Sequence, residues 1–268
     1  MHPRISVNMA SSMGWTLDQD IAFYASRGIT AATVLPSKLG EPASDGIRAV
    51  RDAGLGVAAM VWTPAPGGSL IDETNPALQM LMPAMETATA LGSPCLYVLA
   101  GSAPPRMPTD VAYDRLVGAL RPASAHARDL GLRLALEANS HPTRASGFIH
   151  TLADAAELSR DADMGICLEL QNCWYERHLP HLFRENVGRI DLVQVNDFLV
   201  GEELRLNRRV PGDGSMPLEW MLGHLLEAGY PGYFDLEIVG PAIEREGYAS
   251  AIDRSLDWLG SRLLSWGV

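Results

Sequence analysis

The stretch Asp129–Glu137, DLGLRLALE, reads as the end of a helix, a glycine stop, and then an apolar run that finishes on a carboxylate. A left-handed cap at Gly131 fits the stop, and β-strand entry fits the run from Leu132 onward. The same phrase recurs as SRGITAATV (26–34), DAGLGVAAMV (52–61), ALGSPCLYVL (90–99) and EAGYPGYFDLE (227–237). Recurrence of helix, glycine and strand without sequence identity is the mark of repeated βα units around a parallel sheet.

Working outward, eight short apolar runs read as strands: Ile5–Asn8, Ala32–Leu35, Gly56–Trp62, Cys95–Leu99, Arg133–Glu137, Met164–Glu169, Leu192–Asn196 and Tyr233–Glu237. Helical periodicity falls between them over Thr16–Arg27, Pro76–Leu91, Val111–Leu130, Thr151–Ser159, Leu218–Ala228 and Glu244–Leu264. Eight pairs in 268 residues give an α/β fold, a single (β/α)8 barrel of the TIM type, spanning 1–268 as one domain. The long irregular segments 64–75, 100–109, 138–147 and 197–214 all follow strands, where such a barrel builds its active face.

Composition removes several classes. Net charge is −11, and Lys38 is the single lysine among 21 basic residues, so no cationic face for nucleic acid is expected. Cys95, Cys167 and Cys173 are odd in number and lack a CxxC spacing, which argues for free thiols and a reducing cytoplasm. No run of about 18 uncharged apolar residues appears, so a membrane span is not expected. The methionine-rich segment Pro76–Leu91 is open to two readings, packing on the barrel or a face for a homo-oligomer or partner subunit.

Strands buried on both sides should be continuously apolar, yet three of them finish at Glu137, Glu169 and Glu237, and a fourth carries Gln194 with Asn196 and Asp197. Several carboxylates at one end of a barrel repel one another and lose hydration. They call for raised pKa values, a basic side chain such as Arg144 or Arg209, or a divalent cation of the hard, oxygen-loving kind.

The ordered set LALEAN, GICLELQN, LVQVND and PGDG through YFDLEIVG resembles the xylose isomerase-like barrel superfamily, in its sugar phosphate isomerase/epimerase branch, over the whole chain. That resemblance implies a metal held by Glu137, Glu169, Gln194 and Glu237, with Mn²⁺ or Mg²⁺ ahead of Co²⁺ or Zn²⁺. It also implies that Glu137 and Glu237 shuttle a proton on a small polyhydroxy ketone or related substrate through an enolate. Three positions depart from the pattern: Glu169 replaces an Asp, Gln194 replaces a His, and Asn172 stands where many epimerases place a substrate-contacting His. Elimination from the same enolate is the alternative, as in enzymes resembling 3-dehydroshikimate dehydratase or cleaving keto-glycosides, with His141 as its acid. A non-catalytic barrel subunit is the third reading. Asn8, Trp62, Asn172, Trp174 and Arg209 are expected around the substrate, with Tyr97, Trp15 and Tyr175 as further wall residues. The Gly212–Gly214 turn lacks the spacing of a phosphate loop.

Overall fold

The computed structural model describes residues 1–74, 76–139, 146–204 and 206–268. Eight parallel strands close into a barrel in sequence order: β1 Ile5–Asn8, β2 Ala31–Val34, β3 Gly56–Trp62, β4 Cys95–Val98, β5 Arg133–Glu137, β6 Gly165–Glu169, β7 Ile190–Val195 and β8 Phe234–Leu236. Each strand lies within two residues of its position expected from sequence. Glu237 falls one residue beyond β8 and joins β7 through its amide to the Val195 carbonyl.

The outer layer consists of α1 Leu17–Arg27, α2 Ala43–Asp52, α3 Ala77–Leu91, α4 Thr109–Asp129, α5 Leu152–Asp161, α6 Leu179–Asn186, α7 Leu218–Glu227, α8 Pro241–Glu246 and α9 Tyr248–Ser265. Two of these, α2 and α6, are not among the helices expected from periodicity. In α2 Val50 is buried with Ile47 and Ala49 packed beside it, and in α6 Leu179 and Phe183 are buried with Leu182 beside them. The expected Glu244–Leu264 helix divides at Gly247, whose φ of 93° no L side chain adopts easily. Thr16 caps α1 with Gln19 in a reciprocal capping box, as the local sequence implies.

One large apolar core lies between strands and helices, and a smaller cluster around Ala59, Tyr97, Ala135, Cys167 and Leu192 fills the barrel. All three cysteines are buried and unpaired. Among the described residues, no helix is long and apolar enough to cross a membrane. In the methionine-rich α3, Met85 is fully buried in the core.

Candidate functional site

The strand C-termini open into a cavity of about 1100 Å³. Its polar floor includes Glu137, Glu237, Arg208 and Tyr97, and its walls include Trp62 and Trp174. Seven residues expected at the site line it, Glu137, Glu237, Trp62, Asn172, Trp174, Tyr97 and Tyr175, whereas Trp15 does not. Glu169 and Gln194 do not; they are buried below it, 2% and 0% exposed. His141 and Arg144 lie outside the described residues.

Arg208 is the site residue that sequence reasoning missed. The loop after β7 doubles back so that Asp197 and Arg209 pair as an antiparallel bridge, with amide-to-carbonyl bonds of 3.0 and 2.8 Å. Asp197 pins this loop. Its carboxylate accepts from the amides of Phe198, Gly212, Gly214 and Met216 at 2.8–3.1 Å. A side chain at Gly214 would meet that carboxylate, its Cβ lying 2.1 Å from Oδ1. The GDG turn is therefore a wrapper around Asp197. On the other side, the Arg208 amide donates to the Val239 carbonyl at 2.8 Å. Adjacent residues of an extended segment face opposite ways, so only one of the two arginines can face the barrel. It is Arg208, which corrects the expectation for Arg209: Arg209 donates to Glu202 at 2.9 Å and to the Asn207 carbonyl.

The Arg208 guanidinium sits between two strand-end carboxylates. Nη2 lies 2.8 Å from Glu169 Oε2, and Nη1 lies 2.9 Å from Glu237 Oε2, with side chains 6%, 0% and 15% exposed. Its aligned hydrogen bond goes to the Glu237 carbonyl at 2.7 Å. The carboxylate contacts are ion pairs by distance, and Nε has no acceptor among the described residues. Burial works to lower the arginine's pKa, but Glu169, Glu237 and Glu137 together hold it above the ordinary value, so it stays charged. Burial raises the Glu169 carboxyl to about 7, with Arg208 opposing the rise and Glu237 adding to it.

A chain of side-chain contacts runs under the cavity. Gln194 Nε2 donates to Glu237 at 2.5 Å and to the Tyr97 hydroxyl at 3.1 Å. Asn8 Nδ2 donates to the same hydroxyl at 3.2 Å and to Asp235 at 3.0 Å, while Asn8 Oδ1 accepts from the Ala10 amide. Asn8 is thus committed to the floor's support, and it does not line the cavity as expected. Amide nitrogens only donate, so the Tyr97 oxygen is the acceptor in both bonds and its own hydrogen is left to point elsewhere. Burial, then Glu237, push its pKa well up, which keeps that hydrogen in place. Asp235, fully buried against Ser6 and Asn8, is raised to about 7 by burial.

The four residues that the resemblance implies as metal ligands do not form a shared donor set. Glu169 and Glu237 turn toward Arg208, and Gln194 offers its nitrogen to Glu237. Among the described residues, no group of three or more His, Cys, Asp or Glu side chains is placed to hold one ion. A divalent cation would have to displace the guanidinium and turn the Gln194 amide over. Replacing a His by Gln also gives up the imidazole nitrogen that suits zinc, leaving only an amide oxygen, which a hard cation could use after that turn.

Comparison with known proteins places the fold. A family model described as a xylose isomerase-like TIM barrel matches residues 21–262. No curated protein sequence matches the chain. Among solved structures, a protein from Sinorhizobium meliloti 1021 is 21% identical with a TM-score of 0.86, covering 98% of each chain. The IolI protein with a bound zinc atom is 18% identical over 97% of this chain and 98% of its own, with a TM-score of 0.81. D-psicose 3-epimerase from Clostridium cellulolyticum H10 is 15% identical over 94% and 98%, with a TM-score of 0.74. At these identities the likeness is one of fold.

Proposed function

The chain belongs to the xylose isomerase-like TIM barrel family, and on that premise we propose that it is a proton-transfer enzyme, an isomerase or epimerase of a small polyhydroxy ketone or related compound. One observation carries this reading: carboxylates from two separate strands of the ring, Glu137 at the end of β5 and Glu237 just beyond β8, share a cavity with a permanent cation and a phenol. β5 and β8 stand three strands apart, so the two carboxylates reach a bound molecule from different sides.

The chemistry rests on what each group can do. Glu137 takes a proton from the carbon beside a substrate carbonyl. The C–H electron pair becomes the new C=C bond, and the carbonyl π pair moves onto oxygen. The resulting oxyanion is stabilised by positive charge and hydrogen-bond donors already in place, here Arg208 and the Tyr97 hydroxyl. A proton delivered to the other face from solvent by way of the Glu237 carboxylate gives the opposite configuration. Trp62 and Trp174 supply flat apolar walls for the C–H faces of a sugar-like ring or chain.

A second reading, elimination of a group β to the carbonyl, is favoured by the cavity volume, which exceeds the needs of a monosaccharide. Incubating the protein with ketopentoses and ketohexoses and following the products by NMR and mass spectrometry separates the two. Formation of an epimer or isomer of unchanged mass is expected. A product lighter by water or an aglycone would reject the proposal in favour of the lyase.

A further inference from the structure

Resting on the proton-transfer reading above, we propose that Arg208 takes the place of the divalent cation: this barrel carries its positive charge as a side chain and works without a bound metal.

Position speaks first. Two of the four residues that would hold an ion are paired with one guanidinium at 2.8 and 2.9 Å, and both approaches come from strand ends around the barrel mouth. A guanidinium and a divalent ion cannot share that space at those distances.

The ligand set points the same way. The Gln194 amide is oriented by two donor bonds, one to Glu237 and one to Tyr97. In that orientation its nitrogen, which cannot bind a cation, faces the carboxylate, and its oxygen is buried without a partner among the described residues. With His in this place, a ring nitrogen could present a lone pair to a metal. With Gln, the same position becomes a donor that supports Glu237 as a carboxylate beside Arg208.

Arg208 also has spare capacity. It lines the cavity, and its Nε hydrogen meets no acceptor among the described residues. A guanidinium has five N–H donors. One is aligned on the Glu237 carbonyl, the carboxylate contacts of Nη1 and Nη2 are governed by charge, and Nε is itself buried, so any donor offered to a substrate oxygen comes from the Nη groups. The loop holds Arg208 from both sides, through Asp197–Arg209 and Val239, so this cation is fixed before substrate arrives. Preorganised charge of that kind is what an enolate oxygen requires.

The test uses purified full-length protein and MnCl₂, MgCl₂ and ZnCl₂ as probes, read by calorimetric titration and by melting temperature with and without EDTA. Wild type is expected to bind less than about 0.1 equivalent of any of these ions at micromolar concentration, with its melting point unmoved by ions or chelator. Arg208→Met frees the carboxylates, and is expected to gain one Mn²⁺ or Zn²⁺ site that raises its melting point by more than about 3 °C. Stoichiometric binding by wild type, with EDTA lowering its melting point, would overturn the proposal. A folded Arg208→Met variant that binds no ion would also overturn it, because the guanidinium would not then be standing where an ion goes. Should that variant fail to fold, the wild-type titration decides: no ion bound and an unmoved melting point support the proposal, and stoichiometric binding overturns it. None of these readouts needs a substrate. Failure of the isomerase reading therefore shows separately, as absence of product with a metal-free, unperturbed protein.

Discussion

The barrel holds two arginine–carboxylate clusters, one at each end, and they are built on different terms. At the strand N-termini, Arg133 on β5 meets Asp191 on β7 at 3.2 Å, with side chains 35% and 23% exposed. One positive charge faces one negative charge, and both side chains stay partly exposed. At the mouth, Arg208 faces Glu169 and Glu237 with all three side chains largely buried and Glu137 nearby. Among the described residues there, carboxylates outnumber the one guanidinium, and buried polar atoms on Glu169, Gln194, Asn196 and Arg208 lack hydrogen-bond partners. The lower cluster is a simple, partly exposed pair in which Arg133 only partly offsets the burial of Asp191. The upper one buries charge and leaves polar atoms unsatisfied, which is the profile of a site kept for chemistry.

If that contrast is right, changes at the mouth should reach activity before stability, and changes at the base the reverse. The largest effect is expected from Glu137→Gln, which keeps the side-chain shape and removes the base. Turnover should fall by about 10²–10⁴-fold while the melting temperature stays level or rises. Steady-state kinetics and a thermal melt on the same preparation would read both. Next comes Gly165→Ala at the base, where an added Cβ would lie 1.4 Å from the Asp191 carboxylate. The pair must move apart, at a cost of about 2–3 kcal/mol in urea unfolding, with activity per folded molecule unchanged. Loss of activity without loss of stability would break the contrast.

Tyr97→Phe removes the phenolic hydrogen, which neither Asn8 nor Gln194 accepts, while keeping the ring in place. A fall in kcat of about 10–100-fold with little change in KM is expected. The smallest effect concerns pH and the base alone. Burial, resisted by Arg133, raises Asp191 from its usual range to about 6. The folded chain therefore holds a proton there that the unfolded chain releases near about pH 4. The contribution is fully present below about pH 4 and lost as pH rises through 6. Against Asp191→Asn, wild type should lose about 1 kcal/mol more between about pH 4 and 7, after allowance for screening. A flat difference would show that Asp191 is ordinary.

The split between what was legible in the sequence and what was not runs along the same division of the barrel. Strand positions and the strand-end carboxylates were readable, because apolar runs, glycine stops and a misplaced Glu are local signals. Glu137 and Glu237 reach the cavity as that pattern implies. The choice between Arg208 and Arg209 was not readable, since it depends on the pairing of Asp197 with Arg209 across an irregular loop. Nor could Asn8 be assigned to the floor, because its partners Tyr97 and Asp235 are 89 and 227 residues away. The roles of the four implied metal ligands turned on which way one amide faces, and only a three-dimensional contact fixes that.

Solvent exchange is the measurement that tests metal-free proton transfer most directly. Chelator-treated protein is incubated with ketopentoses and ketohexoses in D₂O, and carbon-bound deuterium is followed by NMR. Deuterium should enter beside the carbonyl of an accepted substrate at a rate that added Mn²⁺ does not increase, and Glu137→Gln should abolish the exchange. Exchange that appears only when a divalent ion is restored would contradict a barrel that carries its cation as Arg208.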